Sequence, residues 1–371
     1  MSFNPITLFL CGDVMTGRGI DQALPHPGRP HLHEPSMTSA LGYVELAEAA
    51  NGPIPRPVDF SYIWGDALTE LQRAAPDARI INLETSVTRS ERAWPGKSIH
   101  YRMHPGNVPC LAAAKIDGCA LANNHVLDWG EEGLLETLRT LERAGMKTAG
   151  AGRTQAEAET PAVIDLGGKG RVLLFSFGSQ TAGVPPEWAA SGNRPGVNFL
   201  ADLSERTGRR IAAAARAVKR PGDIVVASVH WGGNWGYGVP REQVRFTHQL
   251  IEEAGVDLVH GHSSHHPKAI EVYQGRLILY GCGDFFDDYE GIPGYEEFRD
   301  DLTLMYVARV DPSSGRLLGL QMTPLQIRRF RLRRASAADA QWLRDVLTRE
   351  GRPFGTRVEL DAERTLVLRW S

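Results

Sequence analysis

Five stretches of this chain run apolar and then stop on a side chain that can donate an electron pair: ITLFLCGD (6 to 13), ARIINLET (78 to 85), GCALANNH (118 to 125), DIVVASVHWG (223 to 232) and VDLVHGHS (256 to 263). Short apolar runs of this kind read as buried strands. Between them fall helical patterns. EEGLLETLRTLERAG (131 to 145) places Leu134, Leu135, Leu138 and Leu141 on one face, and REQVRFTHQLIEEAG (241 to 255) follows the same plan, each closed by glycine. Alternation of strand and helix requires an α/β fold, and ligands in such sheets sit beyond the strand carboxyl ends. Five strands that end in Asp, Glu, Asn or His therefore predict one shared site.

The remaining organisation is simpler. Residues 24–57, rich in Pro, Gly and His and without a sustained period, read as a long loop over the site. EVYQGRLILY (271 to 280) and VARVDPSSGRLLGLQM (307 to 322) read as hairpins. Residues 1–330 are expected to form one domain, with 331–371 a helix (337 to 351) and hairpin (357 to 370) packed on it. The formal net charge of -3 and scattered arginines argue against nucleic acid as a partner. The start, MSFNPITLFLCGD, lacks a basic region and its apolar stretch stops at Gly12; with no other membrane-length run, a soluble cytoplasmic protein is expected. Four cysteines without CxxC spacing fit free thiols.

Metal binding needs donors that converge, and Asp13, Glu84, Asn124 and His230 stand at separate strand ends. A single strand-end Asp or Asn is more often a cap or turn former. Five such ends together are not explained that way. VHGHSSHH (259 to 266) adds His260, His262, His265 and His266, where a histidine not spent on metal is free for proton transfer. His125 and Asp13 are further catalytic candidates. Asp128 either orients His125 or caps the helix that follows. Trp231 and Trp235 either wall a substrate pocket or pack in the core. His26, His31 and His33 belong to a lid or face solvent.

The ordered motifs LCGDVMTGRGID, INLETSVT, LANNHVLDWGEEGLLETL, SVHWGGNWG and VHGHSSHHPKAIEVYQGRLILYGCGDFFDDY resemble those of the CapA family of poly-γ-glutamate capsule synthesis, over about residues 6 to 310. That family resembles the calcineurin-like metallophosphatases. The resemblance implies a four-layer α/β/β/α sandwich of two mixed sheets and a centre for one or two divalent ions (Mn, Zn or Fe). It puts Asp13 in the first motif, Glu84 in the place of a bridging carboxylate and Asn124 and His230 among the ligands. His125 takes an acid or base role, and Asp284 lies near the substrate. Two departures stand out. The phosphatase motif Asp-x-His has Met15 at its third position, leaving one metal position short of a ligand. Gly-His-x-His is also altered, so that His260 with His262, or His262 with His265, could serve as the pair.

A metal can polarise a carbonyl or phosphoryl oxygen or lower the pKa of water. CapA proteins of capsule systems are typically membrane-anchored, and related proteins without an anchor include peptide epimerases of lasso-peptide maturation. The leading expectation is a metal-dependent enzyme that epimerises a Cα in a peptide, with base and acid drawn from residues such as His265 and Asp13. Phosphoester or amide hydrolysis, and an accessory role in poly-γ-glutamate synthesis, are the alternatives.

Overall fold

The computed structural model describes residues 4–371. Its two large sheets are both mixed, one of ten strands and one of seven. In the first, Ile6–Val14 lies beside Ala78–Leu83, followed by Gly118–Ala120 and Lys147–Ala149, all parallel. On its other side Ile6–Val14 pairs antiparallel with Leu302–Val310 and, at its end, parallel with Asp284–Phe286. The second sheet centres on Arg171–Ser179, Ile224–His230 and Leu258–His262, again parallel.

Side-chain alternation explains how the layers stack. Successive residues of a strand face opposite sides, and these strands are apolar on both. Ile6, Leu8, Leu10 and Ile80 of the first sheet share one core with Val172, Leu174, Ile224, Val226 and Leu258 of the second. Their neighbours turn outward. Phe9, Cys11 and Ile81 pack with Trp64, Leu134, Leu138 and Leu141, so the helix Gly130–Arg143 covers the first sheet. Leu173, Val225 and Val259 pack with Ile211, Phe246 and Leu250, from helices Glu205–Val218 and Arg241–Ala254 over the second. This is the four-layer α/β/β/α sandwich that the resemblance implies.

Two readings need correction. Residues 24–57 are not loop throughout, because Ala40–Asn51 is a helix capped by Ser39. Its inward residues Ala40, Tyr43, Val44 and Ala47 do fall at helical spacing, but Leu41 and Leu46 lie off that face and blur the contrast between its two sides. The C-terminal hairpin, Thr356–Leu360 with Leu366–Trp370, does not only pack on the body; it joins the first sheet by pairing with Leu317–Ile327. Helix Ala337–Gly351 then sends Leu343 and Leu347 into the core between the sheets. The hairpin at Gln274 and Gly275 forms as expected, both residues having positive φ. No helix among the described residues is long and apolar enough to cross a membrane. All four cysteines are free and buried.

Candidate metal centre

The strand carboxyl ends of the two sheets meet at one place. His230 and His262 are partners in register on adjacent strands, and their Nδ1 atoms lie 2.8 Å apart. Across the gap, Asp13 Oδ1 is 3.6 Å from His262 Nδ1 and accepts from Asn82 Nδ2 at 2.7 Å. The other Asp13 oxygen accepts from the backbone N–H of Ser263 at 3.0 Å. Ser263 holds φ at +100°, a conformation that L side chains seldom adopt, and this aims its N–H at the carboxylate. Asn124 Oδ1 is 3.1 Å from His230 Nε2, and Glu84 Oε1 is 3.7 Å from the same nitrogen.

Asp13, His230 and His262 each present one donor within 4.8 Å of the others, and so do Asp13, His265 and Asp284. These sets suit a divalent cation. Asp284 Oδ2 is buried with no hydrogen-bond partner among the described residues. Burial pushes the Asp13 carboxyl up to about 6, against the pull of Asn82 and other donors. Burial, with Asp13 and Asp284 adding repulsion, drives Glu84 well above the usual carboxylate range; burial and Asp13 do the same to Asp284. Crowded, buried carboxylates without a counter-charge are unfavourable, and a divalent cation reverses that balance. The residue common to both sets is Asp13, whereas the resemblance puts Glu84 in the bridging place.

His125 stands beside this cluster. Its Nδ1 is 2.6 Å from Asp128 Oδ2 and 2.9 Å from Lys97 Nζ, leaving Nε2 on the Glu84 side at 3.9 Å. Burial lowers the ring to about 4, so it is neutral at physiological pH. Burial also works against ionised Asp128, but His125 and Lys97 outweigh it and hold the carboxyl below its ordinary value. Asp128 therefore orients His125. It makes no cap, since the following helix starts at Gly130 with Trp129 at its N-cap.

Not every expected residue joins the site. His260 lies one pleat deeper than His262, where its Nε2 donates to the Cys11 carbonyl at 2.7 Å and its Nδ1 is 3.1 Å from Ser228 Oγ. It ties the two sheets together and has no nitrogen left for a metal. Trp231 follows His230 and so faces the opposite side; it is 3% exposed, packs in the outer core and donates to the Tyr280 carbonyl. Trp235 does reach the site's edge, 5.3 Å from the His265 ring and stacked on Tyr295 at 3.9 Å. His265 Nδ1 is 2.9 Å from Asp284 Oδ1, which places Asp284 with the donors and not in a separate substrate pocket. His26, His31 and His33 are exposed.

Several residues escaped the sequence reading. Asn82 and Asn123 form a chain behind the carboxylates: Asn123 Nδ2 donates to Asn82 Oδ1, and Asn82 Nδ2 to Asp13 and Glu84. A polar residue inside the apolar run RIINL was a usable signal for Asn82. Lys97 had none, since only the tertiary fold brings that loop to His125. Met15 is buried outside both donor sets, its sulfur 4.0 Å from the Tyr289 hydroxyl.

Comparison with known proteins identifies a family. A family model described as bacterial capsule synthesis protein PGA_cap matches residues 7–289. A "Probable polyglutamine synthesis accessory protein" of Mycobacterium tuberculosis is 50% identical over 361 residues, covering 96% of this chain and 95% of that protein. The PGA biosynthesis protein CapA of Bacillus subtilis is 26% identical over 331 residues, 85% of this chain and 70% of that protein. Among solved structures, a phosphatase from Mycoplasma pneumoniae aligns with a TM-score of 0.48 at 9% identity, over 87% of this chain and 94% of that one.

Proposed function

The chain belongs to the bacterial capsule synthesis PGA_cap family, and from that premise we propose that it is a metal-dependent hydrolase of amide bonds in a glutamate-rich polymer, accessory to the polymer's synthesis. The relative named as a PGA biosynthesis protein supports the polymer, and the one named for polyglutamine synthesis supports the accessory role. The observation that carries the chemistry is the placing of His125, braced at Nδ1 by Asp128 and Lys97, beside a donor set of Asp13, Glu84, Asn124, His230 and His262.

Asp13, Glu84, Asn124, His230 and His262 would hold a divalent cation, which would supply polarisation of a carbonyl oxygen and a lowered pKa for water. The chain's own groups supply the rest. Asn82 and the Ser263 N–H fix the Asp13 carboxylate, so that it meets an ion without rearrangement. Asp128 and Lys97 occupy His125 Nδ1, which leaves Nε2 to pass a proton to the departing amine. The neutral ring first takes a proton at Nε2 from the attacking water and then gives it to the amine as the C–N bond breaks, and the Asp128 carboxylate offsets the imidazolium charge in between. Trp235, stacked on the exposed Tyr295, stands at the edge beside His265, where an arriving polymer meets it.

The test is incubation of purified protein with poly-γ-glutamate and manganese, zinc or iron, read by loss of polymer length and gain of free amine. Cleavage that disappears in His125→Ala, with bound metal retained, is the expected result. No cleavage with any of the ions would defeat the hydrolytic reading.

Cα epimerisation is a second reading favoured by one feature. Two imidazole–carboxylate pairs, His125–Asp128 and His265–Asp284, border the donor cluster, His125 Nε2 lying 3.9 Å from Glu84 Oε1 and His265 within 4.8 Å of Asp13. A base and an acid on two sides of a substrate are what inversion needs. Solvent deuterium entering one Cα without loss of mass would distinguish it from hydrolysis.

A further inference from the structure

We propose that Asp284 supplies the ligand that Met15 fails to supply, so that Asp13, His265 and Asp284 hold a second, hard divalent cation. The inference rests on the metal-centre reading above and extends it.

Asp13 and Asp284 are partners in register on adjacent parallel strands at the carboxyl edge of the first sheet. Neighbouring residues in register point to the same face, so both carboxylates face the same space. The backbone keeps them there. The N–H of Asp13 donates to the Gly283 carbonyl, and that of Met15 to the Phe286 carbonyl. Gly12 makes this closeness feasible, because a Cβ there would come within 1.7 Å of the Gly283 oxygen. His265 then reaches the pair from the second sheet's turn. Its Nδ1 is 2.9 Å from Asp284 Oδ1, close to the separation of about 3 Å expected for adjacent ligands each roughly 2.1 Å from one small ion.

The second observation is the state of the carboxylates. Asp284 Oδ2 and Asp287 Oδ2 are both buried without any hydrogen-bond partner among the described residues, and each residue is only 2% exposed. An oxygen left bare in the interior is costly unless something positive meets it. Arg18, the nearby buried cation, is already committed to Asp288 and Glu34. The two donor sets also differ in character. Asp13, His230 and His262 offer two imidazoles, whereas Asp13, His265 and Asp284 offer two carboxylates and one imidazole. Carboxylate-rich sites favour harder ions such as Mn2+ or Mg2+.

The experiment is metal stoichiometry of the full-length protein, stripped and then reconstituted with Mn2+, by elemental mass spectrometry and electron paramagnetic resonance. Wild type is expected to bind about two equivalents with the spectrum of a coupled pair. Asp284→Asn should fall to about one equivalent with the spectrum of an isolated ion, and His262→Ala should lose the other ion. Asp21→Asn, a change at an equally buried carboxyl outside both donor sets, should keep two. Two equivalents retained in Asp284→Asn would overturn the proposal while leaving the metal centre intact. So would loss of the second ion in Asp21→Asn, which would make the effect structural. No metal in wild type would overturn the centre itself.

Discussion

The Nδ1 atoms of His230 and His262 face each other at 2.8 Å, with Ser228 Oγ 2.8 Å from His262 Nε2 on the far side. Two ring nitrogens at that distance cannot both carry protons, and burial drives both rings well below the ordinary histidine range. Unprotonated imidazoles held in register are a ready metal site. His262→Ala should therefore keep the part of the stabilisation by added zinc or manganese that comes from the ion at Asp284, and lose the part from the ion held with Asp13 and His230. For wild type that gain is about 2.7 kcal/mol at a hundredfold excess over Kd, read as a rise in Tm. An equal rise in the variant would remove His262 from the ligand set.

Asp128 prepares His125 without touching substrate. Asp128→Asn should leave metal content unchanged and lower kcat on the order of 10²-fold, with a shifted pH profile, since the ring loses the partner that orients it. Wild-type kcat in this variant would return Asp128 to a purely structural role.

His260 is a structural histidine with a pH signature. Burial lowers its pKa to about 4, below the value of ~6.5 it recovers on unfolding. As the pH falls, the unfolded chain takes up this proton first, so stability present above ~6.5 is lost progressively down to about 4. The loss is on the order of 3 kcal/mol from this group. Gln offers an amide to Cys11 and Ser228 and does not titrate, so His260→Gln should lose less stability across that window in urea titrations. Parallel curves for the two proteins would refute the assignment.

Arg18 anchors the early segment to the body. Its guanidinium is paired with Glu34 at 3.0 Å and with Asp288, and lies over the Tyr43 and Tyr101 rings. Arg18→Met leaves two buried carboxylates uncompensated and should cost roughly 3–5 kcal/mol. Limited proteolysis should cut first within residues 24–39. A variant as resistant as wild type would show that Glu34 and Tyr43 hold the segment without it.

Trp235 tests the edge of the site. Trp235→Ala should raise KM for the polymer several-fold while metal content stays constant, because the ring stands beside His265 and is not a ligand. A loss of bound metal instead would assign it to support of the His265 turn.

Much of the site was legible because strand chemistry is local. A buried strand must be apolar until it emerges, so Asp13, Glu84, Asn124, His230 and His262 mark their own strand ends in the sequence alone. The two hairpins and the helices Gly130–Arg143 and Arg241–Ala254 were legible for the same reason, through turn residues and period, whereas the helix Glu205–Val218 was not read. What the linear order could not decide is depth and partnership. Whether His260 or His262 reaches the site depends on one pleat of register against Cys11 on the other sheet. Asp128 could cap or orient until the fold brought Lys97 and His125 to it. Asp284 looked like a substrate contact until its strand paired with Asp13. These are relations between residues up to 271 positions apart, from Asp13 to Asp284, and only the packing of two sheets at fixed spacing brings such groups within bonding distance.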